Sequence, residues 1–308
     1  SESDVKAFSF DVIPSNAIDR ILVFKTPSPE LPADFAGANI QIVSKNTPDK
    51  NIFSISYNTG FKTSTTGKSF QTYDGGATDY LGYDDGTRAI PSIIPTTRDF
   101  QQIINNPTAE NKQLRTAFGQ AFNKTWDSYA SKAPIDQSAS VFFARIFKVK
   151  KIGISNLSTL SYSNSYNYSE NALASYISYD TINDKSVSSY QFNDKVYSNT
   201  VAINGMMNWA FAINNNHTIE FKNLFNQQGI SKTTLRDGIE YNRGVNVKST
   251  ELGYNEQTLY SGQLNGLHKL FKELTTVNWT LGYSSALRKQ PDVRRLTETL
   301  GFDQDVES

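Results

Sequence analysis

The residues closest to a chemical constellation are Asp79, Asp84, Asp85 and Arg88. They sit together in Asp79-Tyr-Leu-Gly-Tyr-Asp-Asp-Gly-Thr-Arg88. Closely spaced carboxylates suit a hard cation such as Ca²⁺, or polar groups on a ligand. The stretch lacks the full pattern of an EF-hand loop, so no metal is assigned. The same residues equally suit a turn closed by an internal Asp–Arg pair. Elsewhere the chemistry is sparse. Cysteine is absent, which excludes disulfides, thiolate metal sites and Cys nucleophiles. The only two histidines are His217 and His268, too few for a multi-histidine metal centre. Neither a nucleophile elbow nor a phosphate loop occurs, and Gly75-Gly76 has no strand–helix context. The sequence therefore reads as that of a protein without enzymatic activity or cofactor. Lys+Arg and Asp+Glu both number 30, so no positive excess is available for a nucleic acid.

The elements that would carry these residues look like strands. Apolar residues are 38% of the chain, yet aromatics reach 12%, with 16 Tyr and 19 Phe against 2 Met. In Ile52–Phe61 the apolar Phe53, Ile55, Tyr57 and Phe61 alternate with Ser54, Ser56, Asn58 and Gly60. Val196–Ile213 alternates over a longer run, with Val201, Ile203, Met207, Trp209, Phe211 and Ile213 on one face. Period-two alternation predicts strands with one apolar face. Further strands are predicted within Ser138–Val149, Lys151–Tyr168, His217–Gln228, Glu251–Leu270 and Thr275–Ser285. Tight turns fall at Lys148–Lys151, Asn214–Asn216 and Phe271–Leu274. The segments 62–137, 169–195 and 229–250 read as long loops, the first with an amphipathic helix over Ala109–Tyr129. Short turns at one end and long loops at the other mark an outer-membrane barrel, whose strands need only about 9–11 residues to span. No apolar run approaches the length of a membrane helix. The opening Ser1-Glu-Ser-Asp-Val-Lys has neither the basic nor the apolar region of a signal peptide.

Residues 1–50 differ in style. Ile18-Asp-Arg-Ile-Leu-Val-Phe-Lys-Thr-Pro-Ser-Pro-Glu-Leu-Pro-Ala-Asp-Phe-Ala-Gly37, closing on Asn39-Ile-Gln-Ile-Val-Ser-Lys45, resembles the end of the plug domain of TonB-dependent outer-membrane receptors. In that family an I-x-R-I-x-V-x-K strand leads through a Gly-containing turn to an N-I-x-T-K strand and then the barrel. The Pro-rich form, Asp79–Arg88, and Trp279 with Gln290-Pro-Asp-Val-Arg-Arg295 resemble receptors common in Bacteroidetes. Ala38-Asn39 departs from the Gly-Val or Gly-Gly-Val of many members.

The resemblance implies a mainly β fold that is part of a plugged transmembrane antiparallel β-barrel, with about seven strands after residue 50 out of roughly 22. Residues 1–46 would be the C-terminal part of the plug, 47–50 a linker, and 51–308 the first portion of the barrel with its long extracellular loops. On this expectation the chain is incomplete. The implied function is active import of a bulky ligand across the bacterial outer membrane, gated by the plug. A non-importing scaffold subunit of an assembly or export complex is the alternative. Implied partners are a TonB-type energy transducer, outer-membrane lipid and, by analogy within the subgroup, a surface lipoprotein lid. Asp79, Asp84, Asp85 and Arg88 would then touch ligand. Arg20, Glu30 and Asp34 would form gate-holding or purely structural plug salt bridges. Trp209, Trp279 and the tyrosines would face lipid, and both histidines would sit at the periplasmic end. Siderophore, oligosaccharide, peptide and cobalamin all remain open as ligands.

Overall fold

Alternation decides the fold. The computed structural model describes residues 18–26, 39–44, 48, 50–271 and 274–301, and the protein is mainly β. Strands β1 (Ile18–Phe24) and β2 (Asn39–Ser44) pair antiparallel as a small ribbon. After residue 50 come β3 (Ile52–Gly60), β4 (Ser69–Thr72), helices α1 (Thr97–Asn105) and α2 (Ala109–Ala121), and β5 (Tyr129–Lys132). Then follow β6 (Asp136–Val149), β7 (Ile152–Asp180), β8 (Lys185–Asn214), β9 (His217–Glu240), β10 (Val245–Leu270) and β11 (Thr275–Gly301). Seven of these form one antiparallel sheet in the order β11-β10-β9-β8-β7-β6-β3, while β4 and β5 pair separately. Among the described residues no helix is long and apolar enough to cross a membrane.

The seven strands expected after residue 50 are all in this sheet, and the tight turns fall where they were expected. Two expectations need correction. The segments 169–195 and 229–250 are not irregular loops: β7 pairs with β8 as far as Asp180↔Lys185, and β9 with β10 as far as Glu240↔Val245. Their Ser, Asn and Asp content hides the alternation, because both faces of these extensions carry polar side chains. Only 61–135 leaves the sheet. There the expected helix is two helices, and α2 stops at Ala121 rather than near Tyr129. Thr108 caps α2, its Oγ1 accepting from the Asn111 N–H at 3.2 Å.

Register sorts the side chains onto two faces. One row runs Ile55–Val141–Leu160–Gly205–Phe225–Tyr260–Ser285. The next toward the tight turns runs Phe53–Phe143–Ser158–Met207–Asn223–Gly262–Tyr283. This apolar face is open to its surroundings: Phe53 is 66% exposed, Leu160 59% and Leu281 65%. The opposite face carries Ser140, Ser161, Asn204 and Asn226 in one row. Near the turns it also holds a small buried cluster of Phe142, Ala144, Leu157 and Met206, with Ile52 and Leu224 against it. The large apolar side chains are thus mostly outside.

Farther from the turns the apolar face is covered, and segment 61–135 covers it. Phe70 meets Tyr166 and Tyr197 edge-on, with ring centroids 5.5 and 5.4 Å apart. Val201, Leu252 and Tyr254 are buried. Burying side chains of this size is worth roughly 1.5–3 kcal/mol each. Closest approach is backbone on backbone. Gly82, at φ +78°, lies against Gly229 of β9, where an added Cβ would come within 2.6 Å of the Gly82 Cα. Gly229→Val should therefore lift the segment off β9 while the seven strands remain. Limited proteolysis should open new sites within 62–135 at unchanged far-UV circular dichroism, and an unaltered digestion pattern would refute the contact.

Candidate functional site

The Asp79–Arg88 stretch is the seam between segment and sheet. A single 3-10 turn, Asp79–Leu81, ends at Gly82 in the left-handed region. The turn brings Asp79 and Arg88 to the same side. Arg88 Nη1 donates to Asp79 Oδ1 at 2.8 Å and Nη2 to Asp79 Oδ2 at 2.5 Å, a forked pair. Nη1 also donates to Asp84 Oδ1 at 3.0 Å. The Arg88 side chain is only 1% exposed. Its guanidinium carbon lies 4.1 Å from the centroid of the Tyr254 ring on β10, a cation–π contact strengthened by desolvation. Burial alone would lower the Arg88 pKa. The hydrogen bonds that Arg88 donates to Asp79 and Asp84, with the negative charge of Asp79, outweigh it and raise the pKa.

Asp85 does different work. Its carboxylate accepts from the Ala77 N–H at 2.7 Å, from the Thr87 N–H at 3.0 Å, and from the Thr87 hydroxyl. The Thr87 hydroxyl and backbone bonds, then that of Ala77, hold its pKa down at about 2. Gly75 and Gly76 have a chemical reason here. A Cβ at Gly75 would collide with the Asp79 carboxylate, and one at Gly76 with that of Asp85.

Bonds from the sheet complete the seam. The Asp84 N–H donates to Glu256 Oε2 at 2.9 Å, and Tyr73 Oη to the Gly253 carbonyl at 2.9 Å. Gln227, fully buried, uses both ends of its amide. Nε2 donates to the Gly82 carbonyl and Oε1 accepts from Thr258 Oγ1, each at 2.5 Å. Tyr162 Oη donates to the Tyr80 carbonyl at 3.0 Å. Arg294 ties the far end, its Nη1 donating to Asn123 Oδ1 at 3.3 Å.

The structure thus brings Asp79, Asp84, Asp85 and Arg88 together, as expected from their spacing. Their oxygens are engaged inside the turn. Among the described residues no group of three or more His, Asp or Glu is placed to hold a metal ion. Arg20 lies in β1 opposite Val43, and Glu30 and Asp34 fall outside the described residues. The two histidines do pair at the tight-turn end, with Nδ1 atoms 3.1 Å apart. Trp279 Nε1 donates to His268 Nε2 at 3.0 Å. Sequence reasoning missed Glu256, Gln227 and Tyr254, the sheet's side of the seam. Gln227 and Glu256 carry no local signal in the sequence, and only the pairing of β9 with β10 puts them under the turn. A scan of family models, a search of curated proteins and a search of solved structures each return no match to this chain.

Arg88→Ala should strand two partly buried carboxylates. Breaking a buried pair costs about 3–5 kcal/mol. A fall in melting temperature with new cleavage in 62–135 is expected, with Arg88→Lys intermediate; a wild-type melt for Arg88→Ala would remove Arg88 from the seam. Acid should test Asp85 separately. Its folded pKa is depressed, so its contribution is complete above the ordinary carboxylate value of about 4. That contribution is lost as the pH falls through about 2. The Ala77 and Thr87 amide proton shifts should titrate with the lower midpoint; a midpoint at about 4 would contradict the turn described.

Proposed function

We propose that this chain forms part of the wall of an outer-membrane β-barrel of the TonB-dependent type, importing a bulky ligand past a plug. The observation that carries the proposal is the exposed apolar band on one face of the seven-stranded sheet. On β9 it runs from Ile219 to Phe225, about seven residues. At ~3.3 Å per residue and a tilt of ~40° that is a height of about 18 Å, most of the ~25 Å apolar belt of such barrels.

Three further features support the proposal. Aromatics mark both margins of the band: Trp209, Phe211 and Trp279 near the tight turns, and Tyr57, Tyr162 and Tyr260 toward the long extensions. Such girdles sit at lipid–water interfaces. The opposite face is rich in Ser, Thr, Asn and Gln, suited to a wet interior. The outer strands β3 and β11 have no partner on their free sides among the described residues. Open edges are not tolerated in hydrocarbon, so further strands would close the barrel. The plug-end motif in residues 18–45 supplies the TonB-dependent reading and its import function.

Segment 61–135 takes a definite place in this picture. It packs on the face that carries the band, on the side away from the tight turns. It would therefore lie against the outside of the wall, just above the lipid, and not across the mouth. There it replaces hydrocarbon as the cover for Tyr166, Tyr197 and Tyr254.

Leu160→Arg separates a lipid-facing wall from a soluble sheet. Leu160 is exposed already, so in water the change is nearly neutral. Inside the apolar belt a charged substitution costs up to about 2–4 kcal/mol, the full amount at the midplane and less toward the margins. The expected result is loss of the heat-modifiable, carbonate-resistant form in outer membranes, with Ser161→Arg on the opposite face retaining it. Equal behaviour of the two variants would sink the barrel reading. Ligand uptake abolished by an uncoupler would then establish import, and energy-independent function would favour a scaffold.

A further inference from the structure

The edge of β7 continues past its neighbour. β6 pairs with β7 only from Val149↔Ile152 to Gln137↔Asn164, yet β7 runs on to Asp180. β8 stays paired along the other side of this extension. On the free side, the first positions are capped by side chains. The Tyr166 N–H donates to Asp136 Oδ1 at 2.8 Å, and the Tyr168 N–H to Thr65 Oγ1 at 3.0 Å. Lys62 Nζ donates to the Tyr166 carbonyl at 2.8 Å. Those contacts fix the phase: even-numbered residues direct their backbone groups outward. With a period of two, Glu170, Ala172 and Ala174 come next, and no strand pairs with them among the described residues. Residues 170–174 are all exposed. A bulge between Ser175 and Ser178 then ends the regular stretch.

Natural sheets guard such an edge with Lys, Pro, inward charges or very short strands. Here the sequence from Ser169 to Tyr179 contains no Lys, Arg or Pro, and Glu170 is its sole charge. Leu173, Tyr176, Ile177 and Tyr179 stand exposed along it. The side-chain caps at Tyr166 and Tyr168 stop pairing where the loop segment begins and leave the next stretch free.

We propose that the Ser169–Ser175 edge of β7 is a docking site for an extended segment of another polypeptide, which adds to the sheet as a strand. The unpaired outward N–H and C=O groups recognise extended backbone and nothing else as completely. A second copy of this chain is excluded by geometry, a step that rests on the barrel reading. Two antiparallel edges are related by a two-fold axis perpendicular to the strands. Copies in one membrane are related by an axis along the membrane normal, and strands tilted about 35–45° do not meet that condition.

The test uses the intact protein in detergent and a synthetic decapeptide of alternating Val and Thr with Lys at each end. Hydrogen exchange at the Glu170, Ala172 and Ala174 amides is expected to slow at least ten-fold with saturating peptide. A version of the peptide N-methylated at alternate residues should give no slowing. Ala172→Pro with Ala174→Pro should abolish the effect, since proline removes outward donors and is tolerated on an edge, while amides shared by β8 and β9 keep their protection. Unchanged exchange in a protein that is still heat-modifiable overturns this inference and leaves the barrel reading standing. Protection that rises with protein concentration and without peptide overturns it in favour of self-association.

Discussion

An apolar surface carried on the outside of a sheet has to be covered by something. That requirement organises this molecule. Strict alternation on β3 and β6–β11 puts Phe53, Leu160, Phe221 and Leu281 on one face while the other face stays largely polar. Near the tight turns nothing in the described chain covers them. Farther along the same strands the face remains aromatic, and there segment 61–135 does the covering. The cover thus changes along one continuous face. On the barrel reading proposed above, the loop would stand in for lipid at the level where lipid ends.

The seam shows how such a cover is held without a large core of its own. Helices α1 and α2 bring only Phe118 to full burial. Attachment depends instead on a few directed contacts: Arg88 stacked on Tyr254, Gln227 bonded at both ends, and the backbone of Gly82 on that of Gly229. Each fixes orientation as well as contact. Arg88 satisfies its charge within the turn, from Asp79 and Asp84, and offers Tyr254 an already neutralised group. Preassembling the ion pair in this way avoids leaving an uncompensated charge between two surfaces.

How much of this was legible in the sequence depended on what each signal encodes. Alternation is local, so Ile52–Gly60 and His217–Gln228 revealed their strands and faces directly. The extensions did not, because Ser169–Asp180 and Lys185–Val196 carry polar side chains on both faces and resemble loop composition. Asp79–Arg88 announced itself as a turn with an internal pair. Its partners could not, since Gln227 and Glu256 become neighbours of Gly82 and Asp84 only through register across β9 and β10. The side of the sheet on which the segment lies was equally hidden, because no local pattern records it.

The connection between β3 and β6 also shapes how the sheet is built. From β6 onward every neighbour in the sheet is the next strand in the chain, joined by a turn of a few residues, so those hairpins zip locally. β3 instead meets β6 across residues 61–135. By polymer scaling, closing a loop of that length costs roughly 4 kcal/mol of chain entropy before any contact is made. Rates fall as pairing becomes less local. β3 therefore joins last, once β6 offers a finished template and the intervening segment has found its place on Tyr166, Tyr197 and Tyr254. Folding of that segment thus sets the time at which the strand nearest the chain's N-terminal ribbon enters the sheet.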